Sequence, residues 1–178
     1  IQHGKPTKVN DIWETSGLNI LETMIQLDGT RQPSLIANMR SARTDISMIY
    51  IPKAFRRAPE QSLRILQPLD TLQDTAEDYT KFDYDVFRNL AFASGNPVYG
   101  LILNSFKNLY SHIGMFYFQN AEARLLAKRF YANLMDICQR QALDEVAPCV
   151  LQYGKDSGAI WASMQTQLPE NFATESLN

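Results

Sequence analysis

Cysteine and histidine are scarce in this 178-residue chain, with two of each. Cys138 and Cys149 cannot build a disulfide framework, and they lack the C-x-x-C spacing of a redox or metal motif. Each lies in an apolar helical context and reads as a buried thiol, which fits a reducing, cytoplasmic setting. With only His3 and His112 available, H-E-x-x-H is excluded, and G-x-x-x-x-G-K-[ST] and G-x-S-x-G are missing as well. Asp83 and Asp85 sit two apart, so on a helix they diverge and cannot act as one catalytic pair. No Ser-His-Asp or Cys-His set can be assembled. The expectation is therefore a protein that is not an enzyme and holds no metal or cofactor.

Long apolar runs are missing too. No stretch approaches the ~18 uncharged apolar residues of a membrane span, so no membrane partner is expected. Charge of one sign is not in excess: 17 Lys+Arg against 19 Asp+Glu leave a net −2, which does not point to nucleic-acid binding by the bulk of the chain. The first residue is Ile rather than Met, and no signal-peptide pattern follows. We expect a piece of a longer protein.

What is present is ordinary globular composition, with 45% hydrophobic and 20% charged residues. Residues 1–10, IQHGKPTKVN, carry three basic-type side chains and no acid. Gly4 and Pro6 are turn formers, and Thr7–Val9 can extend. This segment reads either as the tip and return strand of a hairpin or as a frayed basic terminus. From about residue 15 the pattern turns helical. Thr15 or Ser16 can cap a short helix to about Leu27, stopped by Asp28-Gly29. Pro33 suits the first turn of a long helix to about Arg57. Further helices are predicted over about 59–67, 70–94, 97–118, 120–140 and 144–167, with a mobile tail from Glu170. The fold class is all-α, an antiparallel bundle of about six to seven helices.

Three patterns suggest a site. In the long helix, Leu35, Ile36, Met39, Ala42, Ile46, Ile49 and Tyr50 form a broad apolar stripe with Arg43 inside it and Thr44 next to it. A guanidinium there must find an anion, either a carboxylate on a neighbouring helix or a ligand. Gly154, Ser157, Gly158 and Trp161 share one face of the last helix, with Tyr153 adjoining. Two glycines inside a helix are unfavourable by roughly 1 kcal/mol each, so something approaches the backbone closely: another helix or a ligand. Phe106, Tyr110, Ile113 and Tyr117 recur at helical spacing, as do Phe87, Leu90 and Ala91. Such stripes are mostly core, but buried tyrosine hydroxyls need partners. An apolar cavity with polar groups at its mouth would use all three patterns.

The segments IQHGKPTKVN, WETSGLNILET and LAFASGNPVYGLILN, with Y-G-x-x-S-G-x-I-W over residues 153–161, resemble the fatty-acid-responsive regulators of the GntR family of transcription factors. The likeness runs over essentially the whole chain. It implies that residues 1–10 are a remnant of a winged-helix DNA-binding domain, with His3 at the wing tip. It implies that residues 11–178 are an effector and dimerisation domain that binds long-chain acyl-CoA. Gly154, Ser157, Trp161 and Tyr153 match positions tied to that ligand, and Arg43 and Thr44 match polar contacts toward its CoA portion. Phe87, Tyr110 and Tyr117 match cavity positions, where Met39 replaces a leucine. In the intact homodimer, ligand binding would release operator DNA. That regulator would repress fatty-acid degradation genes and activate unsaturated fatty-acid synthesis genes. The family pattern carries two arginines just before Tyr153, where this chain has Leu151 and Gln152, and Lys155 is the nearest replacement charge. Related effector domains hold a divalent ion through an aspartate and several histidines. Arg88 stands where one of those histidines belongs, so the resemblance implies no such metal here.

Overall fold

The computed structural model describes the backbone of residues 32–168 and of Phe172, with side chains from residue 36 onward. The wing remnant with His3, the short helix over about 15–27 and most of the tail lie outside the described residues. Among the described residues there are seven α-helices: α1 Gln32–Arg57, α2 Pro59–Leu66, α3 Ala76–Ala93, α4 Pro97–Asn104, α5 Lys107–Tyr117, α6 Ala121–Arg140 and α7 Val146–Met164. Short 3-10 turns occupy Gln67–Thr71, Leu143–Glu145 and Gln165–Gln167.

Helix α3 is the centre of the bundle. Tyr79, Phe82, Asp83, Val86, Phe87, Leu90 and Ala91 are all buried, which leaves little of its circumference polar. Helices α1, α2, α4 and α5 pack around it, while α7 lies between α1 and α6. The helix starts follow local chemistry. Thr75 accepts from the Asp78 amide at 3.1 Å and donates to the Asp78 carboxylate at 2.6 Å, a reciprocal cap that sets the start of α3. The sequence reading placed that helix from about residue 70, but Gln67–Thr71 form a 3-10 turn instead. Asn96 caps α4 and Asn120 caps α6, each through its side-chain oxygen. Gly95 ends the α3 segment at φ +89°, where the Arg57 side chain fills the space a Cβ would need.

The stretch expected as one helix over 97–118 is two. The break falls at Ser105–Phe106, where the Ser105 hydroxyl donates back to the Leu101 carbonyl at 2.9 Å. Such back-bonding bends helices. Phe106 leaves helical geometry at φ −118° and enters the core. No proline or glycine marks the break, so sequence patterning passes over it.

The stripe on α1 is also displaced from the expected one. Ile36, Met39, Ser47, Tyr50, Ile51, Ala54 and Phe55 are buried, with Arg43 between them. Ala42 faces solvent and Ile49 is 49% exposed. Arg43 belongs to the inward face because Asp83 and Tyr110 await it, and Ser47 because its hydroxyl is satisfied on the Thr44 carbonyl of its own helix; apolar periodicity alone sees neither.

Candidate ligand-binding site

Asp83 enters the middle of the bundle from α3 and is 2% exposed. A carboxylate so placed must be matched by donors. Tyr110 from α5 donates to Oδ2 and Tyr131 from α6 donates to Oδ1 in two short hydrogen bonds, and Tyr153 from α7 donates to Oδ1 at 3.4 Å. Arg43 completes the set, its Nη1 3.4 Å from Oδ2 and 2.7 Å from the Tyr110 oxygen. Five helices thus meet at one anion. Burial works against the Arg43 charge, but Tyr110 and Asp83 outweigh it and hold the guanidinium firmly protonated. Burial, above all, pushes the hydroxyls of Tyr110, Tyr131 and Tyr153 up, so they remain donors.

Aromatic rings support the guanidinium. Arg43 Cζ lies 4.7 Å from the Phe87 ring centre, and Tyr153 stacks on Phe130 at 4.0 Å. Of the two origins the sequence allowed for an anion at Arg43, the neighbouring-helix carboxylate is present, and it is Asp83.

Beside this network is a narrow cavity of about 30 Å³. Met39, Ile113, Tyr117, Phe118 and Trp161 give it an apolar wall, and Arg40, Arg43, Asp83, Tyr110, Tyr153 and Ser157 give it a polar one. Three donors in its wall are buried without a protein partner of normal geometry: the Arg43 Nε–H, the Trp161 indole N–H and the Tyr117 hydroxyl, which burial pushes up and which Ser157 neighbours. Outside lies an open groove of about 330 Å³ between α1 and α7, lined in part by Thr44, Asp45, Leu151, Gly154, Lys155 and Gly158. Arg40, Arg43 and Ser157 belong to both spaces and form the wall between them.

The two glycines on α7 differ. A Cβ on Gly154 would stand 3.0 Å from Thr44 Cγ2 and Oγ1, so Gly154 lets α7 press against α1. A Cβ on Gly158 would meet nothing within 4 Å. Ser157 donates to the Gly154 carbonyl at 3.1 Å and accepts from Arg40 Nη2 at 3.3 Å.

Met39, Arg43, Tyr110, Tyr117, Tyr153, Ser157 and Trp161 all line the cavity. Thr44 and Gly154 line the outer groove instead. Phe87 lies under Arg43 and lines neither space. Sequence reasoning missed Asp83, Tyr131 and Arg40. An acid on the apolar stripe of Tyr79, Val86, Phe87 and Leu90 was the signal for Asp83, and a second arginine three residues before Arg43 was the signal for Arg40.

The FadR C-terminal domain family matches residues 10–173 of this sequence. The chain belongs to that family. It is 65% identical over 172 residues to the fatty acid metabolism regulator protein of Pasteurella multocida (strain Pm70), covering 97% of this chain and 71% of that protein. It is 54% identical over 173 residues to the protein of the same name from Yersinia enterocolitica, with 97% and 72% covered. The Yersinia pestis (strain Pestoides F) counterpart is 53% identical over the same length. The all-α bundle is the architecture of this family's domain. Among the described residues, no three His, Cys, Asp or Glu side chains cluster as metal ligands, and Asp83 is engaged by Arg43 and tyrosines. No helix among them is long and apolar enough to cross a membrane.

Proposed function

We propose that this chain is the ligand-sensing domain of a transcription regulator of fatty-acid metabolism and that it binds long-chain acyl-CoA. The observation that carries the proposal is the pair of spaces sharing Arg40, Arg43 and Ser157 as a wall: a cavity with one apolar wall inside and a groove carrying charged side chains outside. An amphipathic ligand with an apolar chain and an anionic head fits that division. The names of the relatives point to the same area of metabolism. The Trp161 N–H, buried without a protein partner, is a donor that a thioester carbonyl can accept from, and the Tyr117 hydroxyl beside Ser157 is a second.

Ligand pockets usually measure about 300–1,000 Å³, so the chain must part the cavity wall to enter. Met39 is flexible, and Tyr117 and Trp161 can swing on two dihedral angles. A sixteen-carbon chain supplies up to about 12 kcal/mol at ~0.8 kcal/mol per methylene, before ordering and association are subtracted. In the intact homodimer, binding would bias the DNA-binding domains away from the operator by the ligand's differential affinity for the two dimer states. On the family pattern, release would relieve repression of degradation genes and withdraw activation of unsaturated fatty-acid synthesis.

Calorimetric titration with oleoyl-CoA, against octanoyl-CoA and free CoA, tests this. The expected result is tight binding of oleoyl-CoA, with each two methylenes removed weakening it about tenfold. Trp161→Ala and Ser157→Ala are expected to weaken it. The narrowness of the cavity favours one other reading, a helical dimerisation module with a closed core. Absence of heat and of thermal shift at high ligand selects that reading.

A further inference from the structure

We infer that Arg40 is the mobile cation of this site: it closes the cavity from the groove side and leaves Ser157 and Trp161 to pair with the anionic head of the ligand. The inference rests on the acyl-CoA reading above and adds a residue to it. Arg40 spans the partition. Its Nη2 reaches Ser157 Oγ at 3.3 Å and its Cζ lies 5.4 Å from the Trp161 ring centre. Both contacts are with uncharged groups, and among the described residues no carboxylate pairs with it. Burial and then the neighbouring Arg43 lower its pKa to about 10, as expected for a cation short of an anion.

The other charges of the groove assign the role to Arg40 rather than to Arg43. Asp83 already balances Arg43. Asp45 and Lys155 carry opposite charges on the groove, and Leu151 on its rim carries none. Arg40 is therefore the positive charge in surplus at the wall between chain and head. Exchanging a hydroxyl and a ring face for a phosphate oxygen gives the guanidinium a charged partner in better geometry. The same movement removes the side chain that covers the cavity.

The test is titration of the 178-residue chain with decanoyl-CoA and oleoyl-CoA at low and high salt, for wild type, Arg40→Leu and Arg40→Lys. Arg40→Leu is expected to weaken both ligands equally, by about tenfold at low salt, with a shallower salt dependence. Arg40→Lys should recover part of the loss. An unchanged or tighter affinity, an unchanged salt slope, or a loss that grows with chain length overturns the inference. The last outcome would make Arg40 only a wall of the chain cavity. Should Arg40→Leu fail to fold, Arg40→Gln serves the same comparison. If wild type binds neither ligand, the acyl-CoA reading falls and this inference with it. If wild type binds both and Arg40→Leu binds equally well, only the role of Arg40 falls.

Discussion

Asp83 shows how much one residue can organise. Its two oxygens accept from three tyrosines on three helices, and Arg43 brings in α1. Breaking a buried ion pair by neutralising one partner is costly because the other charge is left without compensation. Asp83→Asn is therefore expected to lose about 3–5 kcal/mol of stability, read from the urea midpoint. The double variant Asp83→Asn with Arg43→Met should be less destabilised than the two single losses summed, because it strands no charge. A sum that is simply additive would mean that the pair does not act as a unit. The cysteines make a milder case. Burial pushes the thiols of Cys138 and Cys149 up to about 11. Alkylation at pH 8 is expected to be slow in the folded protein and to accelerate on unfolding, since the thiolate is the nucleophile.

Helix α7 packs on α1 through Gly154 and opens to the groove at Gly158. The same substitution should therefore act in opposite directions one turn apart. Gly158→Ala gains helix propensity without a clash and is expected to stabilise by about 1 kcal/mol. Gly154→Ala makes the same local gain but drives a methyl against Thr44, where overpacking typically costs about 1–3 kcal/mol. Thermal melting of both variants checks the contrast: Gly158→Ala up by a few degrees, Gly154→Ala unchanged or down. Matching shifts would show that α7 is not held against α1 at Gly154. Other elements were plain in the sequence because their signals are local. Asn96-Pro97 and Asn120 start helices, and Ser94-Gly95 ends one. The break at Ser105–Phe106 was not, since a serine back-bond and one inward phenylalanine leave no breaker residue to read.

At the scale of the molecule, ion pairs tie connecting segments to helix α6, Asp74 through Arg124 and Glu145 through Arg140. Asp74 is held below the ordinary carboxylate range by its hydrogen bond from Arg124, and Glu145 likewise by Arg140. A carboxylate lowered on folding stabilises the fold above its unfolded pKa and loses that contribution as pH falls through its folded pKa. Stability is expected to decline gently below about pH 4, and high salt should flatten the decline because both carboxylates are exposed. Ligand binding, on the proposed reading, should stabilise the fold by mass action, by about 2.7 kcal/mol at free ligand a hundredfold above Kd, and so raise the melting temperature. Oleoyl-CoA should then shift melting more than octanoyl-CoA, and free CoA little.

The sequence by itself determined most of the helices, the starts at Asn96-Pro97 and Asn120, the all-α class and the family, because each is written in neighbouring residues or in a long run of matched ones. It also marked Arg43, Ser157 and Trp161 as out of keeping with plain core. Only the tertiary structure decided what they meet. Asp83 lies 40 residues from Arg43, Arg40 lies 117 from Ser157, and no periodicity couples such positions. Whether an arginine in an apolar stripe is paired or waiting for a partner depends on charges brought across the bundle: Asp83 answers Arg43, and among the described residues no carboxylate answers Arg40.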